Sequence, residues 1–476
     1  TPIKSSAASD VYKRQLSSLV VFMARFQSEK LKQEVVLRDP VHGYIHIEDK
    51  VVLDVVKSKE FQRMRRIKQL GPVNYVFPGA THTRFEHNLG VYELTRRICD
   101  IFAKKYPSIT PGDGLWNDDN RLLVECAGLL HDIGHGPYSH TFEHLFNTNH
   151  EKIGQKIITD PNTEINKALK QVTPNFPELV ASIIAKTYPN PQVVKMISSQ
   201  ADADRMDYLQ RDAYFTGVNY GRFDLSRILR VIRPYQNGIC FTNNGMHAVE
   251  DYIVSRYQMY QQVYFHRVGR SMEVILQHLL ERAKDIYEKG NLKVTSSLAS
   301  FLEGNWTLDD YLNLDDGVME TNFLMWTEAQ DPILSDLAKR YLYRKPFASV
   351  RIDEETKNLL PKLRNIIKQT GFNPDYYTAT NSAFDEPYDA YKPSGKNANS
   401  QIEIMQDDGS LIELSQLSPL VRALNGTFQG DERFFFPKTM LSHDEDQPQI
   451  FDPLYEQFQK YVKNGALRYL RKPRKR

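Results

Sequence analysis

The chain has 476 residues, 41% of them hydrophobic and 25% charged, an ordinary globular balance with length for two to three structural units. Its net charge of +2 conceals five basic side chains within residues 471–476, so the remainder carries −3; a near-neutral body excludes a global electrostatic argument for nucleic-acid binding. Cys99, Cys126 and Cys240 are too widely spaced for a disulfide framework or a zinc ribbon and fit a reduced, cytoplasmic interior.

Asp10-Val-Tyr-Lys-Arg-Gln15 reads like a translated transposon end from a sequencing library. Residues 1–22 are therefore expected to be a non-native or disordered leader, with Met23 as the start. The apolar run at 16–22 is far shorter than the roughly 20 residues of a membrane span, and no small-residue cleavage site follows it. From residue 35 to 287 the pattern predicts mostly helix. Residues 51–70 place Val52, Val55, Val56, Phe61, Met64, Ile67 and Leu70 at helical spacing, with Gly71-Pro72 as the stop. Residues 85–102 repeat the pattern. Residues 121–130 are apolar almost all round, which marks a buried helix. Residues 251–287 predict another long helix with a break near Gly269. The stretch from the 350s to 377 starts helical, and 373–399 is rich in Pro, Asp, Tyr and Asn and reads as loop. Residues 401–405 and 410–414 alternate around Asp407-Asp408-Gly409, a hairpin signal. The expected organisation is mainly α: a helical core over 23–300, then a smaller C-terminal α+β region over 301–476 ending in the basic tail.

Seven of the thirteen histidines (82, 87, 131, 135, 140, 144 and 150) fall between His82 and His150. At the centre is Leu129-Leu-His-Asp-Ile-Gly-His135, closing the buried helix. Adjacent His131 and Asp132 deliver an imidazole nitrogen and a carboxylate oxygen to nearly one point, which suits a borderline divalent cation. Further ligands must come from elsewhere: His87 in Arg84-Phe-Glu-His87, and Asp204 among the aspartates 202, 204, 207 and 212. Four carboxylates within eleven residues repel unless cations balance them, and Arg205 and Arg211 could do so without a metal. The order H…HD…D, each on a predicted helix, favours a metal site.

Gln69-Leu-Gly, Phe77-Pro-Gly-Ala-Thr-His-Thr-Arg-Phe-Glu-His87, His131-Asp-Ile-Gly-His-Gly-Pro-Tyr-Ser-His140 and Asp202-Ala-Asp-Arg-Met-Asp-Tyr-Leu-Gln-Arg-Asp212 resemble the HD-domain deoxynucleoside triphosphate triphosphohydrolases. The likeness is greatest to the bacterial homotetrameric type, related to the animal enzyme that joins a SAM domain to an HD domain. The resemblance implies an HD-domain helical core and a divalent cofactor (Mg, Mn, Fe or Zn) on His87, His131, Asp132 and Asp204. Arg84 resembles a phosphate-binding arginine, and Arg205 stands where the family has a phosphate-binding lysine. His135, His140 and His150 resemble the histidines around the scissile phosphate, with His135 or His150 protonating the leaving oxygen. Gln69 and Leu70 resemble the sugar-contacting pair; Tyr208, Asp212 and Tyr264 resemble the cradle of the deoxyribose, with Arg256 on the phosphate tail. Guanidinium groups suit such a substrate because they pair phosphate oxygens bidentately.

The implied reaction is metal-assisted attack of water on the α-phosphorus, releasing deoxynucleoside and tripolyphosphate. Leu70 and Tyr264 packed at C2′ would leave a ribose hydroxyl crowded and unpaired. Gln62, Arg65 and Arg227 match contacts to an allosteric nucleotide, so a nucleotide effector and a homotetramer are expected. Val35 and Lys57 depart from the animal enzyme's lysine and aspartate there, leaving the effector open. The alternatives are an HD phosphohydrolase acting on a monophosphate or cyclic dinucleotide and, less favoured, a nucleic-acid-binding protein using the tail at 471–476.

Overall fold

The computed structural model describes residues 26–290, 292–381, 401–424, 431–437, 439 and 452–468. The leader and the basic tail lie outside these. The fold is mainly α, as the periodicity implies, with small sheets attached. Three helices frame the centre. Arg84–Lys105 starts at a capping box in which Thr83 and Glu86 satisfy each other's backbone N–H groups. Arg121–Leu130 is buried from Leu122 to Leu130. Ala203–Thr216 starts at Asp202, whose carboxylate accepts from the Arg205 N–H, and stops at Gly217 with φ +76°. The first helix packs against both of the others.

Four local expectations are corrected. Residues 30–49 are an antiparallel hairpin, Lys30–Asp39 with Gly43–Asp49, in register Val36↔His46 and Leu37↔Ile45. The first strand is largely exposed, so its apolar spacing carries no core signal. The segment 51–70 is divided at Ser58, whose extended backbone ends Lys50–Lys57 while its hydroxyl accepts from Phe61 N and starts Lys59–Arg63. Gly71-Pro72 opens a 3-10 turn, Gly71–Tyr75, because proline is compatible with a first turn. The long helix begins at Met246 and breaks ahead of Gly269, through a π-helical turn at Tyr260–Tyr264 and a gap before Arg267–Tyr287.

The hairpin at the C-terminal end forms as Glu403–Met405 with Leu411–Glu413, Ile404 opposite Ile412. It does not stand apart. Glu403–Met405 pairs in parallel with Gly238–Thr242, which pairs with Ile232–Tyr235, giving one four-stranded sheet. A five-stranded sheet joins Ala348–Arg351, Arg433–Phe436 and Ala379–Asn381 to the Val462–Lys463 and Ala466–Leu467 pair. The main core runs from Phe26 to Phe435 and draws on both sides of residue 300, while Val350, Leu363, Ile367, Phe434 and Phe458 close a second, smaller core. The expected loop after residue 373 begins with Pro374–Tyr377 helix and the Ala379–Asn381 strand. Residues 382–399 lie outside the described set. Among the described residues no helix is long and apolar enough to cross a membrane.

One buried charge in this frame is costly. Glu125, on the Arg121–Leu130 helix, is 2% exposed, and burial pushes its carboxyl up to about 8 against the pull of Arg121, whose Nη1 is 3.7 Å away. The folded value lies above the ordinary 4.5. Between these values the folded chain keeps a proton that the unfolded chain has lost, so this group removes stability as pH rises from about 4.5 to about 8. Glu125→Gln should flatten that part of a Tm–pH profile and raise Tm at pH 8; an unchanged slope would show that the carboxyl is folded as a stabilised anion.

Candidate active site

His87 leaves the first turn of Arg84–Lys105, His131 caps Arg121–Leu130, and Asp204 lies in the first turn of Ala203–Thr216. The three helices bring one ligand atom from each within 4.8 Å of the others. His87 Nε2 stands 3.1 Å and His131 Nε2 3.5 Å from Asp204 Oδ1. Asp132 is next to them, its Oδ2 3.7 Å from His87 Nε2 and its Oδ1 3.5 Å from His131 Nε2. Arg84 pairs with Asp132 and reaches Ser139 Oγ at 3.3 Å. Burial would raise the Asp204 carboxyl, yet the His131 and His87 imidazoles beside it hold it well below the usual range. Burial would lower His87, but Asp204 and Asp207 raise it to about 10. The cluster therefore stabilises positive charge strongly.

These residues fit a divalent cation on the chemistry of the donor set. His87 Nε2 and His131 Nε2 are both buried without a hydrogen-bond partner, and each ring's other nitrogen is already committed: His131 Nδ1 lies 2.9 Å from the Gly128 carbonyl and His87 Nδ1 2.8 Å from Asp207 Oδ2. That commitment fixes the tautomer which leaves Nε2 free to coordinate.

A second group, His135, Glu143 and His150, also gathers three donors. His135 and His150 stack face to face, 3.9 Å apart and 14° from parallel. Lone pairs lying in two parallel ring planes cannot both converge on one ion, so this group is read as an acid–base pair. His150 Nδ1 is 2.9 Å from Glu143 Oε1, His135 Nδ1 2.9 Å from Ser139 Oγ, and His135 Nε2 3.3 Å from Asp132 Oδ1. Burial and the Arg84 charge hold His135 well below its ordinary value, hence neutral. A side chain at Gly134 would overlap the His150 carbonyl and Gly154 N; glycine there lets the two imidazoles meet. His140 is in the Ser139–Phe146 helix, but its side chain lies outside the described residues.

A cavity of about 480 Å³ opens beside Arg84, walled by Gln69, Leu70, Tyr208, Asp212, Tyr260, Tyr264 and Glu273 among others. Tyr264 donates to Asp212 Oδ2 at 2.7 Å, and His82 Nε2 holds Asp212 Oδ1 at 2.7 Å. Gln69 Oε1 is buried without a partner. Tyr138, on the same wall, is held left-handed at φ 51°, a strained conformation for a non-glycine residue. Arg205 and Arg256 do not line this cavity. Arg205 Nη1 is tied to Asp202 at 2.7 Å and Arg256 Nη1 to Gln200 Oε1 at 2.6 Å, because buried guanidinium groups take the nearest acceptors. Gln62 and Arg65 form a pair, with Arg65 Nε donating to Gln62 Oε1 at 2.9 Å and its guanidinium 3.5 Å over the Phe85 ring. Arg227 instead donates to the Asn244 carbonyl at 2.7 Å.

The sequence reading named Asp207 and Arg211 as a carboxylate and a cation that could balance it, but missed their place behind His87 and missed His42 and Asp39. Asp207 is fully buried beneath His87 and is also held by His42 Nε2 at 2.6 Å and by Arg211 through two bonds of 2.9 Å. Arg211 continues to Asp39 Oδ2 at 2.8 Å. The spacing Asp207/Arg211 (i, i+4) was a usable signal; nothing in the sequence brings His42 and Asp39 there.

A buried His/Asp cluster beside an arginine and an imidazole pair is the arrangement of a phosphohydrolase centre and is consistent with divalent-metal binding. Residues 84–212 match the HD domain and residues 223–365 the HD associated region. The uncharacterized protein YwfO of Bacillus subtilis is 45% identical over 427 residues, covering 89% of this chain and 97% of its own length. A deoxynucleoside triphosphate triphosphohydrolase SAMHD1 homolog of Dictyostelium discoideum is 27% identical over 330 residues, 66% of this chain and 60% of its own. A solved structure of a phosphohydrolase from Bacteroides thetaiotaomicron matches with a TM-score of 0.72 at 27% identity, covering 85% of this chain and 99% of that one. The chain belongs to the HD-domain family and is an HD-superfamily phosphohydrolase with an HD-associated region.

If Asp207 orients His87, Asp207→Asn should weaken Mn²⁺ binding on the order of 10- to 100-fold, measured by calorimetric titration of the folded variant. Unchanged affinity would make the Asp207 network purely structural.

Proposed function

We propose that the chain hydrolyses deoxynucleoside triphosphates to deoxynucleoside and tripolyphosphate. The observation that carries this reading is the continuity between the cluster and the cavity. Arg84 touches Asp132 and also lines the space walled by Gln69, Leu70, Tyr208, Asp212 and Tyr264. The relatives named as deoxynucleoside triphosphate triphosphohydrolases support it. A divalent ion on His87, His131, Asp132 and Asp204 would supply Lewis-acid polarisation of the phosphate and an acidified water. Arg84 pairs the phosphate, and Ser139 at 3.3 Å orients the guanidinium. His150, its Nδ1 engaged by Glu143, presents Nε2 as the proton donor to the leaving 5′-oxygen, and His135 stacks against it. Gln69 Oε1 and the Tyr264–Asp212 pair meet the sugar hydroxyl. Leu70 occupies the space a ribose 2′-hydroxyl would need.

One observation favours a second reading. With Arg205 and Arg256 tied to Asp202 and Gln200, Arg84 is the member of the expected cationic trio that faces the cavity, which would suit a nucleotide with fewer phosphates. Product analysis separates them. Incubation of each deoxynucleotide with Mn²⁺ should give intact tripolyphosphate as the first phosphorus product. Pyrophosphate as the first product, or hydrolysis of monophosphates alone, would overturn the proposal.

Regulation belongs to the same reading. A nucleotide effector held by Gln62 and Arg65, with Arg227 from elsewhere in a homotetramer, would neutralise arginines that otherwise repel at an interface, and it can shift activity only by its difference in affinity between states. Because Arg65 lies on the Phe85 ring, next to Arg84 in sequence, Arg65→Ala should lower activation of one deoxynucleotide's hydrolysis by another and leave Mn²⁺ affinity intact. Rates that only fall by competition in every pairing, with an unchanged sedimentation coefficient, would remove the effector site.

A further inference from the structure

The stretch 63–70 runs from the neighbours of Gln62 and Arg65 to the sugar wall, and one distant corner of the chain holds most of its polar groups. Arg63, 1% exposed, donates from Nε to the Leu314 carbonyl at 3.0 Å and from Nη1 to the His135 carbonyl at 2.9 Å. Arg66 Nε is 2.5 Å from Asp315 Oδ2. The backbone N–H of Lys68 donates to Asp316 Oδ2 at 2.9 Å, and Lys68 Nζ reaches Glu320 Oε1 at 2.8 Å. On the opposite edge, Gln69 N donates to the His82 carbonyl at 3.0 Å and Arg84 N to the Ile67 carbonyl at 2.9 Å. The next two side chains, Gln69 and Leu70, face the cavity.

Asp316 is the anomalous member. It is 5% exposed, and its Oδ1 is buried with no hydrogen-bond partner. Burial pushes its carboxyl up to about 6, with the Lys68 N–H and ammonium pulling the other way. A carboxylate buried with one oxygen unsatisfied is unfavourable for folding, so its place is explained by what the other oxygen holds. That oxygen fixes the backbone immediately ahead of Gln69 and Leu70. Because Gln69 Oε1 is an unpartnered acceptor and Leu70 a steric stop, a small displacement of this backbone moves both at once.

We propose that Asp316 is a positioning residue for sugar selection: by holding the Lys68 N–H it sets where Gln69 and Leu70 stand against the sugar. This rests on the reading of those two residues as sugar contacts. It adds that selectivity at C2′ is held from the HD-associated region, through a backbone hydrogen bond rather than through the carboxylate's charge.

The test is the ratio of kcat/KM for each deoxynucleotide to that for the matching ribonucleotide, with Mn²⁺, in wild type, Asp316→Ala and Asp316→Asn. Melting curves and calorimetric Mn²⁺ titrations accompany each. Asp316→Ala should lower the ratio on the order of tenfold, as expected when contacting groups are slightly misplaced, while Mn²⁺ affinity stays at the wild-type value. Asp316→Asn keeps an acceptor for the Lys68 N–H, so it should restore the ratio and melt at or above wild type. A wild-type ratio in folded Asp316→Ala, or equal loss in both variants, would overturn the proposal. If Asp316→Ala does not fold, Asp316→Leu, which keeps the volume and likewise accepts no hydrogen bond from the Lys68 N–H, must lower the ratio. An unchanged ratio there overturns it equally. A wild-type enzyme that does not distinguish deoxyribo- from ribonucleotides removes the sugar reading itself, a failure visible before any variant is compared.

Discussion

The Asp207 carboxylate is the interaction on which the centre depends. It lies fully buried between His87, His42 and Arg211, and an unpaired charge in that position would be prohibitive. Arg211 repays it through two bonds and passes the remaining positive charge to Asp39, whose other oxygen accepts from Val41 N and His42 N. The network holds His87 in one orientation. It also binds three parts of the chain, the N-terminal hairpin turn, the Arg84–Lys105 helix and the Ala203–Thr216 helix, into a single unit. Gly90 belongs to it: a Cβ there would overlap Asp207 and Arg211, so the helix that carries His87 can approach Asp207 only with glycine one turn further on.

The cavity is built by a different device. A regular helix from 246 to 287 would carry its aromatic side chains round at 3.6 residues per turn. The π-helical turn at Tyr260–Tyr264 and the gap at Phe265-His266 interrupt that rotation, and Tyr260, Tyr264 and Phe265 all reach one wall. Such turns occur frequently at functional sites. Here the interruption places the Tyr264 hydroxyl on Asp212, whose carboxylate His82 holds from the other side. Both oxygens of the Asp212 carboxylate on this wall are thereby engaged.

Much of the chemistry was legible because it sits on strongly patterned helices. The apolar run ending at His131-Asp132, the capped start at Thr83 and the Asp202 cap announce three helix ends, and those ends converge. The hairpin at 30–49 was hidden because its first strand is largely exposed and the buried alternation of the second, Ile45 and Ile47, is short, and its register depends on a turn closed by Asp39. Asp207 was hidden for another reason. It shares a helix with Asp204 and differs only in facing inward, toward partners at residues 39, 42 and 87 that no local spacing brings near. The resemblance implies Arg205 and Arg256 as phosphate ligands; Asp202, one turn before Arg205, was a legible competing acceptor, whereas Gln200 meets Arg256 only in three dimensions.

The two matched regions divide the work in a way that constrains how the protein can vary. Residues 84–212 supply the cluster, the arginine and the imidazole pair, groups whose distances are fixed by chemistry and by the Asp207 network. Residues 223–365 supply Tyr260, Tyr264, Phe265, Arg270 and Glu273 along the cavity, together with the Leu314–Glu320 corner that grips Arg63, Arg66 and Lys68. Glu273 is the sharpest case: burial pushes its carboxyl up to about 7 despite Arg270 nearby, so its charge state answers readily to whatever fills the cavity. A substitution in the second region can reshape the cavity without touching the His/Asp cluster. One in the first region displaces the His/Asp cluster, Arg84 and the imidazole pair together, because Arg84, Asp132, Ser139 and His135 share hydrogen bonds and His150 stacks on His135. The cavity wall can thus vary only in part independently of the cluster, because Gln69 and Leu70 precede both regions while Tyr208 and Asp212 share the helix of Asp204.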